Sequence, residues 1–378
     1  MDSGVEAAEV VVEAVDFGVE VAAAEGDFGV VVVVEGVCGG GRREHRNLSS
    51  LPYLTLCFLV QMGSFPSEMD SKTTDIALDL TPFFIVYKDG RLERQFVNPF
   101  MPAPENLNGV RSKDVVVSSD PEVTVRIFLP RSLTRGEKLP VLMYMHGGGF
   151  SVESALSTFY SPYTSSIASQ CNVMVISVDY RLAPEHPIPA CYDDSWEALK
   201  WIVSHASGSG PDPWVNEHAD FGRLFLAGDS AGANISQTMA TWAGVKGLES
   251  GVKISGIILV HPYFGNNKPH DLWIYCCSGT ETGLDDPRLN PAANPGLLAK
   301  LGCGKVLITT AENDFLSVRA WSYYEALKKS EWKGEVEIVE TKGTDHVFHL
   351  FDPNCEKAGS LMKLIATFIK DDKVHSVL

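Results

Sequence analysis

From about Val123 onward, short apolar runs alternate with stretches in which apolar residues recur every three to four positions. The runs Val123–Leu129, Val141–Met145, Val173–Asp179, Leu224–Ala227, Ile254–Val260, Val306–Thr310 and Val336–Val339 predict strands. Several are apolar almost throughout, as expected of strands covered on both faces rather than on one. The stretches between them predict helices over Tyr160–Gln170, Asp193–His205, Ala231–Ala243, Arg319–Lys329 and Cys355–Lys370. In the last of these, Ala358, Leu361, Leu364, Ile365 and Phe368 fall on one stripe, so that helix covers a core. Strand and helix in regular alternation predict an α/β fold, a mostly parallel sheet with helices on both faces.

Two stretches break the alternation. Residues 75–104 precede the sheet, and residues 263–295 interrupt it with Trp273, Ile274, Tyr275, Cys276 and Cys277 in a row. Their aromatics (Phe83, Phe84, Phe100, Trp273, Tyr275) admit two readings. They face a binding site, or they simply pack these stretches onto the body of the domain.

Residues 1–61 differ in kind. They are low-complexity Val, Glu, Ala and Gly, with Val30 to Val34 consecutive, and residues 1–41 hold nine acids and no Lys or Arg. Such a segment lacks the alternation that would set a strand register and the composition that would build a core. It is read as disordered, or as an over-extended gene product, with a catalytic domain over 62–378 beginning at Met62. No basic region precedes an apolar core, so it is not a secretory signal, and its acidity argues against a plastid transit peptide. The apolar patch 51–60 is too short to span a bilayer, which takes about 20 residues.

The 378-residue chain is 45% hydrophobic, ample for a sheet core, and carries a net charge of −17. That charge argues against nucleic acid or an anionic membrane surface as partner. Eight cysteines form no C-x-x-C pair and no metal-ligand spacing, and read as reduced thiols of a cytoplasmic protein. The sequon Asn234-Ile235-Ser236 lies inside a predicted helix, where a glycan could not be accommodated.

The chemistry concentrates where strands end. Leu224–Ala227 runs into Gly228-Asp229-Ser230-Ala231-Gly232, a G-x-S-x-G at a strand–turn–helix junction. That context holds a serine on a sharp elbow with its Oγ exposed. Val141–Met145 runs into His146-Gly147-Gly148-Gly149-Phe150, and three glycines in succession expose backbone amides suited to a developing oxyanion. Strand 306–310 leads to Asp314, at the head of an Asp-Phe-Leu turn, with Glu312 nearby. Strand 336–339 leads to Asp345-His346, ahead of a helix beginning near Pro353. Asp345 is too close in sequence to orient its neighbour's ring, and His349 sits among Val347, Phe348, Leu350 and Phe351 as a packed residue. Ser230, Asp314 and His346 therefore stand out, in the chain order Ser…Asp…His. None of these motifs calls for a metal or a cofactor.

With Val178-Asp179-Tyr180-Arg181-Leu182-Ala183-Pro184-Glu185-His186-Pro187 between the glycine loop and the elbow, the chain resembles the plant carboxylesterases of the hormone-sensitive-lipase group of α/β-hydrolases. The resemblance spans roughly residues 70 to 370, and it implies that 75–104 and 263–295 cover the site as a cap, whose aromatics select an aromatic or terpenoid acyl ester or simply pack the cap onto the domain. It implies the α/β-hydrolase fold, hydrolysis of a small-molecule ester, Ser230 as nucleophile, His346 as general base then acid, and Asp314 as its orienter. It also implies an oxyanion hole from the amides of Gly148, Gly149 and Ala231, with Gly147 as the alternative glycine and His146 as part of the loop motif. The same group holds 2-hydroxyisoflavanone dehydratases, some with threonine at the position of Ser230, and carboxylesterase-like cyclases. It also holds gibberellin receptors, which have lost the histidine that is His346 here.

Overall fold

The computed structural model describes residues 75–370, apart from 132, 134, 135, 266–270 and 278–285, and four strands nearer the N-terminus. The chain divides into two units, Met1–Thr74 and Asp75–Leu378. In the first, Glu9–Ala14, Val19–Gly26, Gly29–Val37 and Arg43–Asn47 pair antiparallel in sequence order as a sheet of their own. The rest of 1–61, including the apolar patch 51–60, lies outside the described residues.

The second unit is built on eight strands. These are β1 (Val110–Ser119), β2 (Glu122–Pro130), β3 (Leu139–Met145), β4 (Met174–Asp179), β5 (Ala219–Asp229), β6 (Ile254–Val260), β7 (Cys303–Ala311) and β8 (Glu335–Thr341). Their order across the sheet is β1-β2-β4-β3-β5-β6-β7-β8. β3 to β8 run parallel, while β2 lies antiparallel to both β1 and β4.

Five helices cover the sheet: α1 (Tyr160–Cys171), α2 (Ala190–Val203), α3 (Ala231–Lys246), α4 (Ser317–Lys329) and α5 (Glu356–Lys370). The alternation of side chains along β3 shows how one strand serves two cores. Val141, Met143 and Met145 pack with Leu199, Ile235 and Tyr323 of α2, α3 and α4. Leu142 and Tyr144 pack on the other face with Ile167 of α1 and Leu361 and Ile365 of α5. Each such side chain, taken fully from water, contributes roughly 1.5–3 kcal/mol, which is why a strand buried on both faces carries almost no polar residue.

Three departures from the sequence reading have physical causes. β1 was not anticipated, because it is the sheet's edge and mixes Lys113 and Asp114 with half-exposed valines. The stretch 75–104 contains a small antiparallel sheet of Ile76–Leu80, Phe84–Tyr87 and Leu92–Arg94. α2 begins three residues earlier than expected, directly after Pro189, and its C-terminal end tightens into a 3₁₀ turn over Ser204–Ser207.

The order of strands places the site. After β3 the chain moves outward to β4, then returns across β3 to lay down β5. In an open parallel sheet the crevice at such a reversal, outside the carboxyl ends of the strands, is where ligands bind. Met145 at the end of β3 is paired with Gly228 at the end of β5, so the glycine loop and the elbow leave the sheet side by side. Among the described residues, no helix is long and apolar enough to cross a membrane.

Candidate active site

Ser230 caps α3 with φ 51° and ψ −116°, a combination that L-residues rarely hold. Two backbone hydrogen bonds keep it there: its N–H donates to the Val260 carbonyl, and its carbonyl accepts from the Tyr263 N–H, both at 2.9 Å. The flanking glycines are required by close approach. A Cβ on Gly228 would fall on the Gly232 carbonyl group, and one on Gly232 would fall on the Met145 carbonyl oxygen.

Ser230 Oγ lies 3.0 Å from His346 Nε2, and His346 Nδ1 lies 2.8 Å from Asp314 Oδ2. The other carboxylate oxygen of Asp314 accepts the Leu316 N–H at 2.8 Å. Burial alone would raise the Asp314 pKa. The charge and hydrogen bond of His346, with the nearby His261 and the Leu316 N–H, outweigh it and hold the carboxyl below its usual range. For His346 burial favours the neutral ring, but the charge and hydrogen bond of Asp314 win, and its pKa is raised above 6.5. Thus the structure brings Ser230, His346 and Asp314 into one hydrogen-bonded line.

The rival residues stand elsewhere. Exposed Glu312 accepts the Gly343 N–H at 2.8 Å and the Lys342 ammonium at 3.1 Å, bracing the loop instead. His349 is buried against Tyr163 and His261, and burial pushes its pKa well below the ordinary value. The helix expected near Pro353 is preceded by a short one, Phe348–Phe351, immediately after the His346 turn.

The three amides of the glycine loop differ in their partners. The Gly147 N–H donates to the Tyr160 hydroxyl at 2.9 Å, and that hydroxyl donates to Asp229 Oδ2 at 2.8 Å. Its amide is therefore engaged. Gly148 and Gly149 turn through φ 102° and 58°, and a Cβ on Gly148 would strike the Val152 carbonyl. No described residue accepts the N–H of Gly148 or Gly149, and Ala231, first in α3, has no acceptor within its helix. His146 supports the loop rather than the nucleophile. Its ring stacks on Tyr180 at 4.1 Å, its Nδ1 lies 2.7 Å from the Gly147 carbonyl, and burial pushes its pKa down to about 4.

Two contributors escaped the sequence reading. Asp229, the variable residue of the elbow motif, is buried and accepts from Tyr144 at 2.6 Å as well as from Tyr160. Its two tyrosines lie on β3 and α1, so it ties elbow to glycine loop from beneath. His261, first after β6, is fully buried with φ 48°. Its Nδ1 accepts the Val347 N–H at 2.8 Å, holding the residue after His346 in a left-handed conformation, φ 47°. The same ring stands 3.6 Å from Asp314 Oδ2, and burial lowers its pKa to about 3, so it remains neutral.

Removing that acceptor should loosen the turn that carries His346. In His261→Leu, kcat should fall about 100-fold with little change in KM, the scale of loss that a small misplacement produces. His261→Asn should recover most of it, since Asn supplies an acceptor oxygen and tolerates positive φ. Steady-state kinetics on the two variants would check this, and equal losses in both would refute the role.

His261, Asp314 and His346 also form the one three-residue grouping among the described residues with metal-ligand atoms within 4.8 Å. Its members are held by hydrogen bonds within the protein. His261 Nδ1 takes the Val347 N–H, and Asp314 Oδ2 takes the His346 ring.

A profile of the family described as the alpha/beta hydrolase fold matches residues 142–350, which span the glycine loop, the elbow, Asp314 and His346. The chain belongs to the α/β-hydrolase fold family. This α/β hydrolase is 48% identical to a protein of Arabidopsis thaliana named "Probable carboxylesterase 13", over 81% of the chain and 100% of that protein. It is 40% identical to the 2-hydroxyisoflavanone dehydratase of Glycyrrhiza echinata, over 82% of the chain and 100% of the relative. Among solved structures, a hyperthermophilic esterase from Pyrobaculum calidifontis matches with a TM-score of 0.58 at 27% identity, covering 69% of this chain and 85% of that one.

The two stretches expected over the site of this hydrolase are fastened to its loops. Arg94 donates to the Ser151 carbonyl at 2.7 Å and to Glu185 at 2.8 Å, and Asn98 donates to buried Glu153, just beyond the glycine loop. Phe84 and Trp273 are fully buried, with Trp273 against Phe150 and Phe84 against Tyr275, so these rings pack one element on another. Phe83 remains half-buried, where a Cβ on Gly149 would meet its ring. Asn234 is buried and donates to the carbonyls of Tyr263 and Arg288, at 2.9 and 2.7 Å, leaving no room for a glycan on the folded chain.

Proposed function

We propose that this chain hydrolyses carboxylic esters of small molecules through an acyl-enzyme formed on Ser230. The supporting observation is the line from Ser230 Oγ through the His346 ring to Asp314, set beside the unengaged amides of Gly148, Gly149 and Ala231. Ser230 Oγ attacks the ester carbonyl while His346 Nε2 takes its proton. The carbonyl oxygen, now negative, receives hydrogen bonds from the three amides, and the dipole of α3 adds to the stabilisation. As the tetrahedral adduct collapses, His346 returns the proton to the departing alkoxide, which leaves as alcohol. A water then gives its proton to His346 and attacks the acyl group. The second adduct collapses to free acid, and Ser230 regains its proton. Throughout, Asp314 keeps the ring's Nδ1 protonated and its Nε2 facing the serine.

A panel of short p-nitrophenyl esters, aryl and terpenoid esters and 2-hydroxyisoflavanones, resolved by mass spectrometry, tests this reading. Gain of water with release of acid and alcohol is the expected result. Dehydration or cyclisation with negligible ester cleavage would replace it, and the dehydratase among the relatives makes loss of water the second reading. A receptor role is disfavoured because His346 is present and engaged with Ser230; tight gibberellin binding by a hydrolytically inert protein would restore it.

The acidic balance fits a protein with no nucleic-acid or membrane partner, and no step above needs a cofactor. We place the enzyme in the cytoplasm, in line with the free state of all six described cysteines, and import of the tagged full chain into plastids would overturn that. Residues 75–104 and 263–295 are proposed to form the cap. Residues 1–61 are proposed to be dispensable, since ten acids against three arginines repel one another and offer no core. A chain starting at Met62 should keep kcat/KM and Tm within error of the full chain. A drop in Tm of several degrees on deletion would sink that proposal.

A further inference from the structure

Around the start of α4 lies an apolar ledge that is exposed among the described residues. Phe315 is 48% exposed, Val318 74% and Trp321 38%. Val318 and Trp321, three residues apart in the first turns of α4, lie on one side of it, and Phe315 lies in the turn just before it. Phe315 follows Asp314 directly, and its ring centroid stands 5.9 Å from that of His346. The polar neighbours of the ledge turn elsewhere: the Trp321 indole N–H donates to Glu340 at 3.3 Å, and Arg319 donates to the Phe264 carbonyl at 3.1 Å.

We infer that this ledge is the subsite for the alcohol half of the ester, and that it selects neutral aromatic alcohols. The inference rests on the hydrolytic reading of the site. His346 Nε2 must reach the oxygen that leaves, so whatever borders the exposed edge of its ring meets the alcohol portion rather than the acyl chain. A half-exposed phenyl ring there offers a face or an edge to a second ring, the arrangement aromatic pairs favour. A quaternary ammonium alcohol would also be drawn to an aromatic face. It is excluded here because the Arg319 guanidinium already stands 5.9 Å from the Phe315 centroid and repels a second cation.

The test compares hydrolysis of 2-naphthyl acetate and ethyl acetate by the full chain, followed by pH-stat, in wild type, Phe315→Ala and Phe315→Tyr. The acyl group is constant, so the ratio of the two kcat/KM values reports on the alcohol alone. Phe315→Ala should lower the naphthyl-to-ethyl ratio by about three- to tenfold, the range set by loss of one aromatic pair. Phe315→Tyr, which keeps the ring, should restore it. A ratio unmoved in Phe315→Ala overturns the inference. So does a change that instead follows acyl length, seen on replacing acetate by butyrate at constant alcohol. Binding of 2-naphthol to the Ser230→Ala protein, followed by fluorescence, separates this inference from the hydrolytic reading. Naphthol binding that weakens with Phe315→Ala in a chain that cleaves no ester would leave the subsite standing and remove the esterase. Hydrolysis with naphthol binding indifferent to Phe315 would do the reverse.

Discussion

Ser230→Ala should lower kcat by a thousandfold or more while the protein keeps its fold. The loss is that expected when the nucleophile of a serine–histidine–acid group is removed and only the oxyanion donors and binding remain. Folding should survive because the substitution removes one hydroxyl and retains the Cβ, while the backbone hydrogen bonds of residue 230 to Val260 and Tyr263 are untouched. The inactive protein should still bind its ester, so KM-like affinity, measured by titration with a slowly reacting substrate, should stay near the wild-type value. Turnover close to wild type in this variant, with an unchanged circular dichroism spectrum, would end the assignment of Ser230.

Asp314→Asn should be nearly as severe, about ten-thousandfold in kcat, and should leave a signature in the pH profile. His346 acts as a base only when neutral, so activity rises with pH through its pKa. In the wild type Asp314 raises that pKa, and the acid limb of kcat/KM should lie above pH 6.5. With the carboxylate replaced by an amide, burial is left as the main influence on the ring, and burial disfavours the imidazolium. The acid limb should therefore move to lower pH even as its plateau falls. The plateau falls because the amide N–H can donate to Nδ1, which shifts the ring proton to Nε2, the atom that must accept from Ser230. A profile that keeps its acid limb in Asp314→Asn would show that some other group supplies the charge.

Much of this site could be read from the chain because each residue follows directly on an apolar strand. Ser230 comes after Leu224–Ala227, the glycine loop after β3, and Asp314 after β7, so the carboxyl ends of buried strands converge on one crevice. What stayed hidden depends on contacts between distant segments. Nothing near His261 announces that its ring will meet the backbone of Val347, 86 residues later, and a lone histidine before Pro262 reads as an ordinary turn. The resemblance favours Gly148 and Gly149 over Gly147, but the residues alone give no physical ground for that order, which rests on the Tyr160 hydroxyl engaging the Gly147 N–H from α1. The same reasoning accounts for β1. An edge strand needs only half its residues buried, so its charged positions mask it.

The two hydrogen bonds that clamp Ser230 also set opposing selection pressures on that position. A non-glycine residue at φ 51° costs on the order of 1–3 kcal/mol, a sizeable part of what holds a domain folded. Selection for thermal robustness alone would drift residue 230 toward glycine, whose backbone takes that conformation freely. Only the demand for a hydroxyl at the mouth of the crevice keeps a side chain there. A descendant of this chain that no longer turned over a substrate would be released from that demand, and the elbow would be among the first places to relax.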